Sequence, residues 1–219
     1  MTTNIVIAHY AEDLSWINDI CQDVSVHVYS KGPECLPPPV KYIGKLSNVG
    51  RESHTYVHHI IENYDNLNDV TLFLQGSPFD HLPCGGIEQL VLEAKSHPSG
   101  LSQHARVHNV GNNSAYFGFN IHQHAGKQVV PFRNNLVFGE WLNLVCKIKY
   151  QNSPKWYIGA CFAATRHAIR SVPLETWQEI LSSLEYDVNP VTGHYMERAW
   201  YMILDQEKLH MRRNKGMLL

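Results

Sequence analysis

The chain has 219 residues, of which 44% are hydrophobic and 17% are charged, and its formal net charge at pH 7 is -2. This composition is that of a folded globular protein and argues against a disordered chain or a generally basic nucleic-acid binder. The longest apolar runs are far below the roughly 20 residues that cross a bilayer, and no basic and apolar leader is present. We therefore expect one cytoplasmic domain over residues 1–219, with no membrane span.

Neither the cysteines nor the histidines form a recognisable metal or disulfide pattern. The five cysteines are scattered and include no Cys-x-x-Cys pair, so neither a zinc site nor a disulfide framework follows from them. Fourteen histidines are unusually many. His122 and His124 alternate as on one face of a strand, but no third ligand stands at a recognisable spacing, and metal binding by this pair is the weaker interpretation.

The chain begins with a predicted α/β sheet. Residues 4–8 are an apolar run that predicts a buried first strand, and polar groups follow its end in the stretch His9, Tyr10, Ala11, Glu12 and Asp13. The segments that follow are a helical face at 14–20, an alternating strand at 24–29, a proline-rich connector at 31–39 and a short strand or edge segment at 40–46.

The clearest pattern lies in residues 48–81. Five side chains recur at the spacing of one helical face, namely Tyr56, Val57, Ile60, Ile61 and Tyr64. Residues 70–74 are an apolar run that predicts a strand covered on both faces, and residues 75–81 are a polar loop. Because ligands bind outside the carboxyl ends of the strands in open α/β sheets, this loop and the first strand end are the predicted site.

The second half of the chain is less regular. Residues 100–136 are rich in glycine, asparagine and aromatic residues, and a long irregular segment of this kind indicates a binding loop. The remaining predicted elements are helices at 87–94, 138–147, 166–170 and 174–184, a strand at 156–163 and a last helix entered from residue 189. The tail at 208–215 is basic and expected to be solvated.

The last helix carries a candidate pair of functional side chains. His194 and Glu197 are three residues apart, so they lie on one helical face and can share a ligand. The same spacing is common in capping and salt-bridge arrangements. The pattern alone leaves both interpretations open.

Three stretches carry a resemblance to known proteins. Residues 50–81 (GRESHTYVHHIIENYDNLNDVTLFLQGSPFDH), 156–166 (WYIGACFAATR) and 189–200 (NPVTGHYMERAW) look like motifs of a family mostly described as a domain of unknown function in bacteria, fungi and large viruses. Residues 159–166 are also similar to the acceptor-side strand of GT-A type nucleotide-sugar glycosyltransferases. The resemblance implies a single-domain, Rossmann-like GT-A fold, with a mixed, mostly parallel sheet flanked by helices.

The GT-A resemblance implies a set of site residues. Arg51 would contact the diphosphate or the sugar, because a guanidinium group matches phosphate oxygens with two parallel hydrogen bonds, and Glu52 would orient it. The implied nucleotide-sugar contacts are Ala8, His9, Tyr10, Asp13, Arg51, Gln75, Gly76 and Ser77, and the implied acceptor side includes Gly159 and Ala160.

A divalent metal ion is a further implication. Asp80 occupies the second position of an Asp-x-Asp motif, but Pro78 stands at the first position. One carboxylate together with a diphosphate and water suffices for Mn²⁺ or Mg²⁺, so metal assistance through Asp80 is a hypothesis. Replacing Asp80 by alanine is then expected to abolish transfer and leave the fold intact.

The implied activity is transfer of a sugar from a nucleotide-diphosphate sugar, expected to be a UDP-sugar, to an acceptor hydroxyl. Glu197, with His194 as second choice, is the expected base, and Asp80 and Arg51 would meet the charge of the leaving group. Viral members of the family are linked to capsid glycan building, so a glycan or glycoprotein acceptor in the host cytoplasm is expected for such a member.

Two alternatives come from other functional classes. Fungal members resemble arginine-containing cyclodipeptide synthases, which use aminoacyl-tRNA and carry an Asp-Asp cluster after the central strand. This chain has Phe79–Pro83 there, and its net charge offers no evident tRNA surface, so a nucleic-acid partner is expected only if that alternative holds. The third reading is a sugar-binding module without enzymatic activity.

Overall fold

A five-stranded sheet forms the centre of the protein. The computed structural model describes residues 1–19, 24–33, 41–107, 117–150 and 155–205. The strands are β1 (Thr3–His9), β2 (Ser25–Ser30), β3 (Lys41–Lys45), β4 (Val70–Gln75), β5 (Arg106–Val107), β6 (Gln123–His124), β7 (Lys127–Gln128), β8 (Lys155–Trp156) and β9 (Phe162–Thr165). The main sheet has the order β3-β2-β1-β4-β9, in which the first four strands are parallel and β9 is antiparallel to β4.

Helices cover both faces of this sheet. They are α1 (Arg51–Glu62), α2 (Gly86–Ser96), α3 (Phe138–Leu144), α4 (Arg166–Arg170), α5 (Leu174–Ser182) and α6 (Val191–Leu204), with short 3₁₀ helices at Ser15–Asp19, Phe79–His81 and Ile158–Ala160. Alternate residues of β1 point to opposite faces, so Val6 packs in the core beneath α1 and α6, whereas Ile5 and Ile7 pack in the core beneath α2.

Aromatic packing joins the sheet to α1 and α6. The ring of Trp200 in α6 stacks on Phe73 of β4 at 6.1 Å and lies 5.0 Å from Phe162 of β9. Tyr56 of α1 contacts the same Phe73 ring at 5.2 Å. These fully buried rings fix the positions of both helices, whose first turns reach the edge of the sheet where β1 and β4 end.

The predicted α/β architecture is confirmed, and two predicted elements are wrong in detail. The segment 156–163 is not one strand, because Gly159 has φ 65° and Ala160 has φ 51°, which break it into β8, a 3₁₀ turn and β9. The helical face after Leu14 is a short 3₁₀ helix. Residues 34–40 of the proline-rich connector, 108–116 of the irregular region and 206–219 of the basic tail lie outside the described residues.

The strand order reverses at β1. The chain runs outward from β1 through β2 to β3, and then returns to place β4 on the other side of β1. The loops after β1 and β4 therefore diverge, which opens a crevice at their carboxyl ends. No helix within the described ranges is long and apolar enough to cross a membrane.

Candidate functional site

A cleft of about 450 Å³ opens at this reversal point. Its wall comprises Ala8, His9, Tyr10 and Glu12 from the end of β1, Lys31 after β2, Asn48, Arg51 and Glu52 at the start of α1, Gln75 at the end of β4, His124, Ala125 and Lys127 from the β6–β7 hairpin, and Val188 and Asn189 before α6. The cleft thus collects side chains from segments far apart in the sequence.

Arg51 enters the cleft through an unusual backbone conformation. Its φ is 54°, and the preceding Gly50 has φ 64°, so two successive residues are left-handed just as α1 begins. For a residue with a side chain this conformation costs roughly 1–2 kcal/mol. The turn is held by the N–H of Gly50, which donates to the carbonyl of Asp187 at 2.9 Å. The stem of Arg51 passes over Gly193 of α6, where a Cβ atom would lie 2.9 Å from Arg51 Cδ.

Lys31 supports the same turn from the other side. Its Nζ donates to the carbonyl oxygens of Val49 and Arg51, both at 2.6 Å. These two bonds leave the third ammonium proton for the cleft, whose wall Lys31 forms. Burial lowers the pKa of Lys31 to about 7, an effect that the negative charge of Glu52 opposes. A bound anion would raise that pKa and favour the charged ammonium.

The buried carboxylate of Glu52 lies beside the two cations, Lys31 and Arg51. Its side chain is 10% exposed, and Oε2 lies 3.7 Å from Nε of Arg51. Among the residues that the structure describes, neither Oε1 of Glu52 nor Nε of Arg51 has a hydrogen-bond partner. Burial raises the pKa of Glu52, and nearby Glu197 raises it further, against the charges of Arg51 and Lys31. Buried polar atoms of this kind are usually paired, so these two atoms are exceptions to the usual pattern.

Glu197 lies beside the cleft and is itself held on both oxygens. Oε1 accepts from the N–H of Gly159 at 3.3 Å, and Oε2 lies 3.5 Å from Nη1 of Arg198. The guanidinium of Arg198 also donates to the carbonyl of His194 and stacks over the Phe119 ring at 4.5 Å. The predicted acceptor-side glycine therefore serves to fix a carboxylate.

His194 and Glu197, which the sequence places on one helical face, have different partners in the structure. His194 is 1% exposed, and its Nε2 lies 3.1 Å from Oδ1 of Asn189. Its ring is 4.9 Å from that of His124 in the β6–β7 hairpin. Burial lowers the pKa of His194 to about 3, with Arg51 as the next cause, so the ring is neutral at pH 7. His194 thus joins the hairpin to the start of α6.

A chain of hydrogen bonds fixes the loop after β1. Nδ1 of His9 lies 3.2 Å from Oγ of Ser30, and Nε2 lies 3.1 Å from the carbonyl oxygen of Glu12. Because a carbonyl oxygen only accepts, the neutral tautomer with its proton on Nε2 satisfies both contacts. The imidazole of His9, 3% exposed, therefore joins the ends of β1 and β2 rather than facing the solvent.

The thiol of Cys161 lies close to these carboxylates but is not a nucleophile. It is fully buried, and its S–H donates to the carbonyl of Gly159. Burial raises the pKa of the thiol to about 12, and Glu52 and Glu197 raise it as well. A thiol that keeps its proton at neutral pH is unreactive, so Cys161 is not suited to covalent chemistry.

The structure brings only part of the predicted site together. Ala8, His9, Tyr10, Arg51 and Gln75 line the cleft. Gly76 lies beneath the Glu12 carboxylate next to it. Gly159 and Ala160 are buried beside Glu197. Asp13, Ser77 and Asp80 are exposed and outside the cleft wall.

Lys31 and Glu12 are among the cleft residues that were not predicted as site residues, although Glu12 belongs to the polar stretch predicted at the end of the first strand. Both follow directly on predicted strands, so the rule that sites form at the carboxyl ends of parallel strands could have found them. The expected metal site also lacks support, because no group of three or more His, Cys, Asp or Glu side chains within the described ranges is placed to hold an ion.

Comparison with known proteins gives a partial family match. Residues 5–84 match a family model whose description is Protein of unknown function (DUF3431). The matched stretch contains β1 to β4 and includes Lys31, Arg51 and Glu52, but not α6. No curated protein and no solved structure matches the chain. The function therefore has to be argued from the cleft.

Proposed function

We propose that the protein is a glycosyltransferase that moves a sugar from a nucleoside diphosphate sugar, expected to be a UDP-sugar, to a hydroxyl group of a glycan or glycoprotein acceptor. The observation that carries the proposal is the cleft itself, in which Lys31 and Arg51 stand beside the buried carboxylate of Glu52. Parallel α/β sheets bind phosphorylated ligands at such a reversal of strand order, which supports a nucleotide donor.

The two cations stabilise the negative charge of the diphosphate leaving group. As the bond between the sugar carbon and the diphosphate oxygen breaks, the electron pair stays on that oxygen. The guanidinium of Arg51, which lines the cleft, donates to the diphosphate, and the third proton of Lys31 does the same. Donors fixed before the reaction stabilise developing charge without reorganisation, and the strained turn of Arg51 fixes one of them.

Glu52 is the proposed general base. The acceptor O–H loses its proton to the carboxylate of Glu52, which lines the cleft, while the acceptor oxygen forms the new bond to the sugar carbon. A carboxylate with a raised pKa is a better base near pH 7 than an ordinary one, and burial gives Glu52 such a pKa. Glu197, the base expected from the resemblance, instead keeps the pKa of Glu52 high through its fixed negative charge.

The residues present do not fit a metal site built on Asp80. That carboxylate is exposed on the 3₁₀ helix Phe79–His81, outside the cleft wall. The mechanism proposed above therefore uses no metal. It predicts that Asp80→Ala retains transfer, contrary to the expectation from the Asp-x-Asp resemblance. Loss of transfer by a folded Asp80→Ala variant, restored in part by excess Mn²⁺, would return the metal to the mechanism.

Thermal-shift titration is the first test. UDP, GDP and dTDP are each added with and without Mn²⁺. A ligand that binds only the folded protein stabilises it by about 2.7 kcal/mol at a hundredfold excess over its Kd, and this stabilisation raises the melting temperature. A shift with one nucleotide supports the transferase and names the donor class. If no nucleotide shifts the melting temperature but aminoacyl-tRNA binds, the cyclodipeptide synthase alternative replaces it.

Turnover is then tested with matched variants. Release of the nucleoside diphosphate from the donor that binds is measured for the wild type and for Glu52→Gln, with Glu88→Gln on the exposed face of α2 as the control for loss of one charge. We expect Glu52→Gln to bind the donor and to lose at least 100-fold in turnover, as removal of a general base does. Unchanged turnover in a folded Glu52→Gln variant would exclude Glu52 as the base.

A further inference from the structure

The loop after β1 contains two main-chain donors that converge on one point. The N–H groups of Tyr10 and Ala11 both donate to Oε2 of Glu12, at 2.7 and 3.1 Å. Successive backbone N–H groups that point at a common centre form an anion-binding concavity. Here the anion that occupies it is a carboxylate of the same loop.

The space for that carboxylate depends on the absence of a side chain at Gly76. A Cβ atom built there would lie 2.6 Å from Oε2 of Glu12 and 2.8 Å from its Cδ. Gly76 is held in place by the indole of Trp16, which donates to its carbonyl oxygen at 2.9 Å. The concavity therefore lies between the ends of β1 and β4, which is the reversal point of the sheet.

The two donors are positioned independently of the Glu12 carboxylate. The His9 ring binds the main-chain carbonyl of Glu12, and the N–H of Lys31 donates to the carbonyl of His9 at 2.9 Å. These contacts hold the loop on both sides of Tyr10. Among the residues that the structure describes, the two N–H groups are the hydrogen-bond donors to the end of the Glu12 side chain, and Glu12 is an exposed residue with room to turn outward.

We infer that the N–H groups of Tyr10 and Ala11 are a phosphate subsite, which the Glu12 carboxylate occupies in the free protein and leaves when a phosphate group binds. The inference rests on the proposed function in one respect, which is that the phosphate belongs to the donor diphosphate. Tyr10, Glu12, Lys31 and Arg51 line the same cleft. A diphosphate therefore reaches the subsite and the cations together, whereas a single phosphate has to displace Glu12 with fewer contacts.

Binding of inorganic pyrophosphate tests the subsite without any sugar. Affinity is measured by calorimetry for the wild type, Glu12→Ala and Glu12→Gln. We expect Glu12→Ala to bind pyrophosphate about tenfold tighter, because the competing anion is gone and the two N–H groups are free. Glu12→Gln should fall between the two, since its amide oxygen still accepts from the loop without carrying charge. Glu88→Ala, which removes one negative charge from α2, should bind as the wild type does.

Gly76→Ala gives the complementary result. Its methyl group would fill the place of the carboxylate and also exclude a phosphate, so a folded Gly76→Ala variant is expected to bind pyrophosphate at least tenfold more weakly.

Equal or weaker binding by folded Glu12→Ala would overturn the inference, because Glu12 would then only close its own turn. If Glu12→Ala binds tighter but no nucleotide sugar is turned over, the subsite stands and the proposed transferase falls. If transfer occurs and Glu12→Ala binds no tighter, the subsite alone falls.

Discussion

Replacing Gly193 by alanine is expected to change the stability of the protein and its ligand affinity in opposite directions. Gly193 lies in the first turn of α6 and has no left-handed φ, so alanine fits the backbone there. Alanine is favoured over glycine inside a helix by up to about 1 kcal/mol. For a chain of this size that gain corresponds to a melting temperature about 2–4 °C higher.

The same methyl group disturbs the cleft. It would lie 2.9 Å from Cδ and 3.2 Å from Cγ of Arg51, closer than carbon atoms pack, so the stem of Arg51 has to move. A charge-assisted hydrogen bond contributes about 1.5–3 kcal/mol, and a displaced guanidinium loses it. At about 1.4 kcal/mol for each factor of ten, pyrophosphate should bind Gly193→Ala roughly 10- to 100-fold more weakly.

Thermal melting and calorimetric titration measure the two effects on the same samples. Arg51→Ala supplies the matched control, because the Gly193→Ala change should add no further loss of affinity in that background if it acts through Arg51. Wild-type affinity in Gly193→Ala would refute the placement of Arg51 as a phosphate ligand. A lower melting temperature would refute the view that alanine is tolerated at this position.

Three further outcomes follow from the charges of the site and core. Lys31→Met should weaken UDP binding at least tenfold at pH 6.5, and the difference from the wild type should shrink above pH 7, where free Lys31 loses its proton. Burial lowers the pKa of His59 to about 3 from an ordinary value near 6.5, so its contribution to stability is full above pH 6.5 and is lost as pH falls toward 3. In urea unfolding, the free energy of unfolding should fall between pH 7.5 and pH 5 by about 2 kcal/mol less for His59→Gln than for the wild type. Glu197→Gln should move the acid limb of the pH–rate profile to lower pH, because the negative neighbour that raises the pKa of Glu52 is removed. An unchanged acid limb would show that Glu197 does not influence the pKa of the catalytic base.

The parts of the fold that follow from local patterns were predictable. Burial of β1, β4 and α1 follows from their apolar runs and from the 3.6-residue period of the helix. The predicted ends of the two strands are where Ala8, His9 and Gln75 line the cleft. The break before β9 was not predictable, because Gly159 fits equally well in a closely packed strand and in a left-handed turn. In the folded protein the ring of His81 occupies the space where a Cβ atom at position 159 would lie, so the turn requires glycine there.

The chemistry of the site was harder to predict, because it depends on contacts between segments distant in sequence. Lys31 begins a segment whose prolines predict a connector, and nothing local indicates that its ammonium group holds the turn before α1. The contact between Glu12 and Gly76 joins residues on either side of the sheet reversal. Asp80 is the opposite case, because its motif position predicted a metal ligand, whereas the structure places it on a 3₁₀ helix outside the cleft wall.

Arg51, which the GT-A resemblance implies as a diphosphate contact, lies in the cleft with a strained backbone. Its left-handed backbone costs roughly 1–2 kcal/mol, so the surrounding contacts must oppose that cost. Those contacts are the two carbonyls bound by Lys31 and the turn closed by Asp187, and all of them hold one guanidinium in the cleft beside Glu52. If the strain serves ligand binding, Arg51→Gly should melt at a higher temperature than Arg51→Ala, because glycine adopts this φ freely, while both variants lose pyrophosphate binding equally.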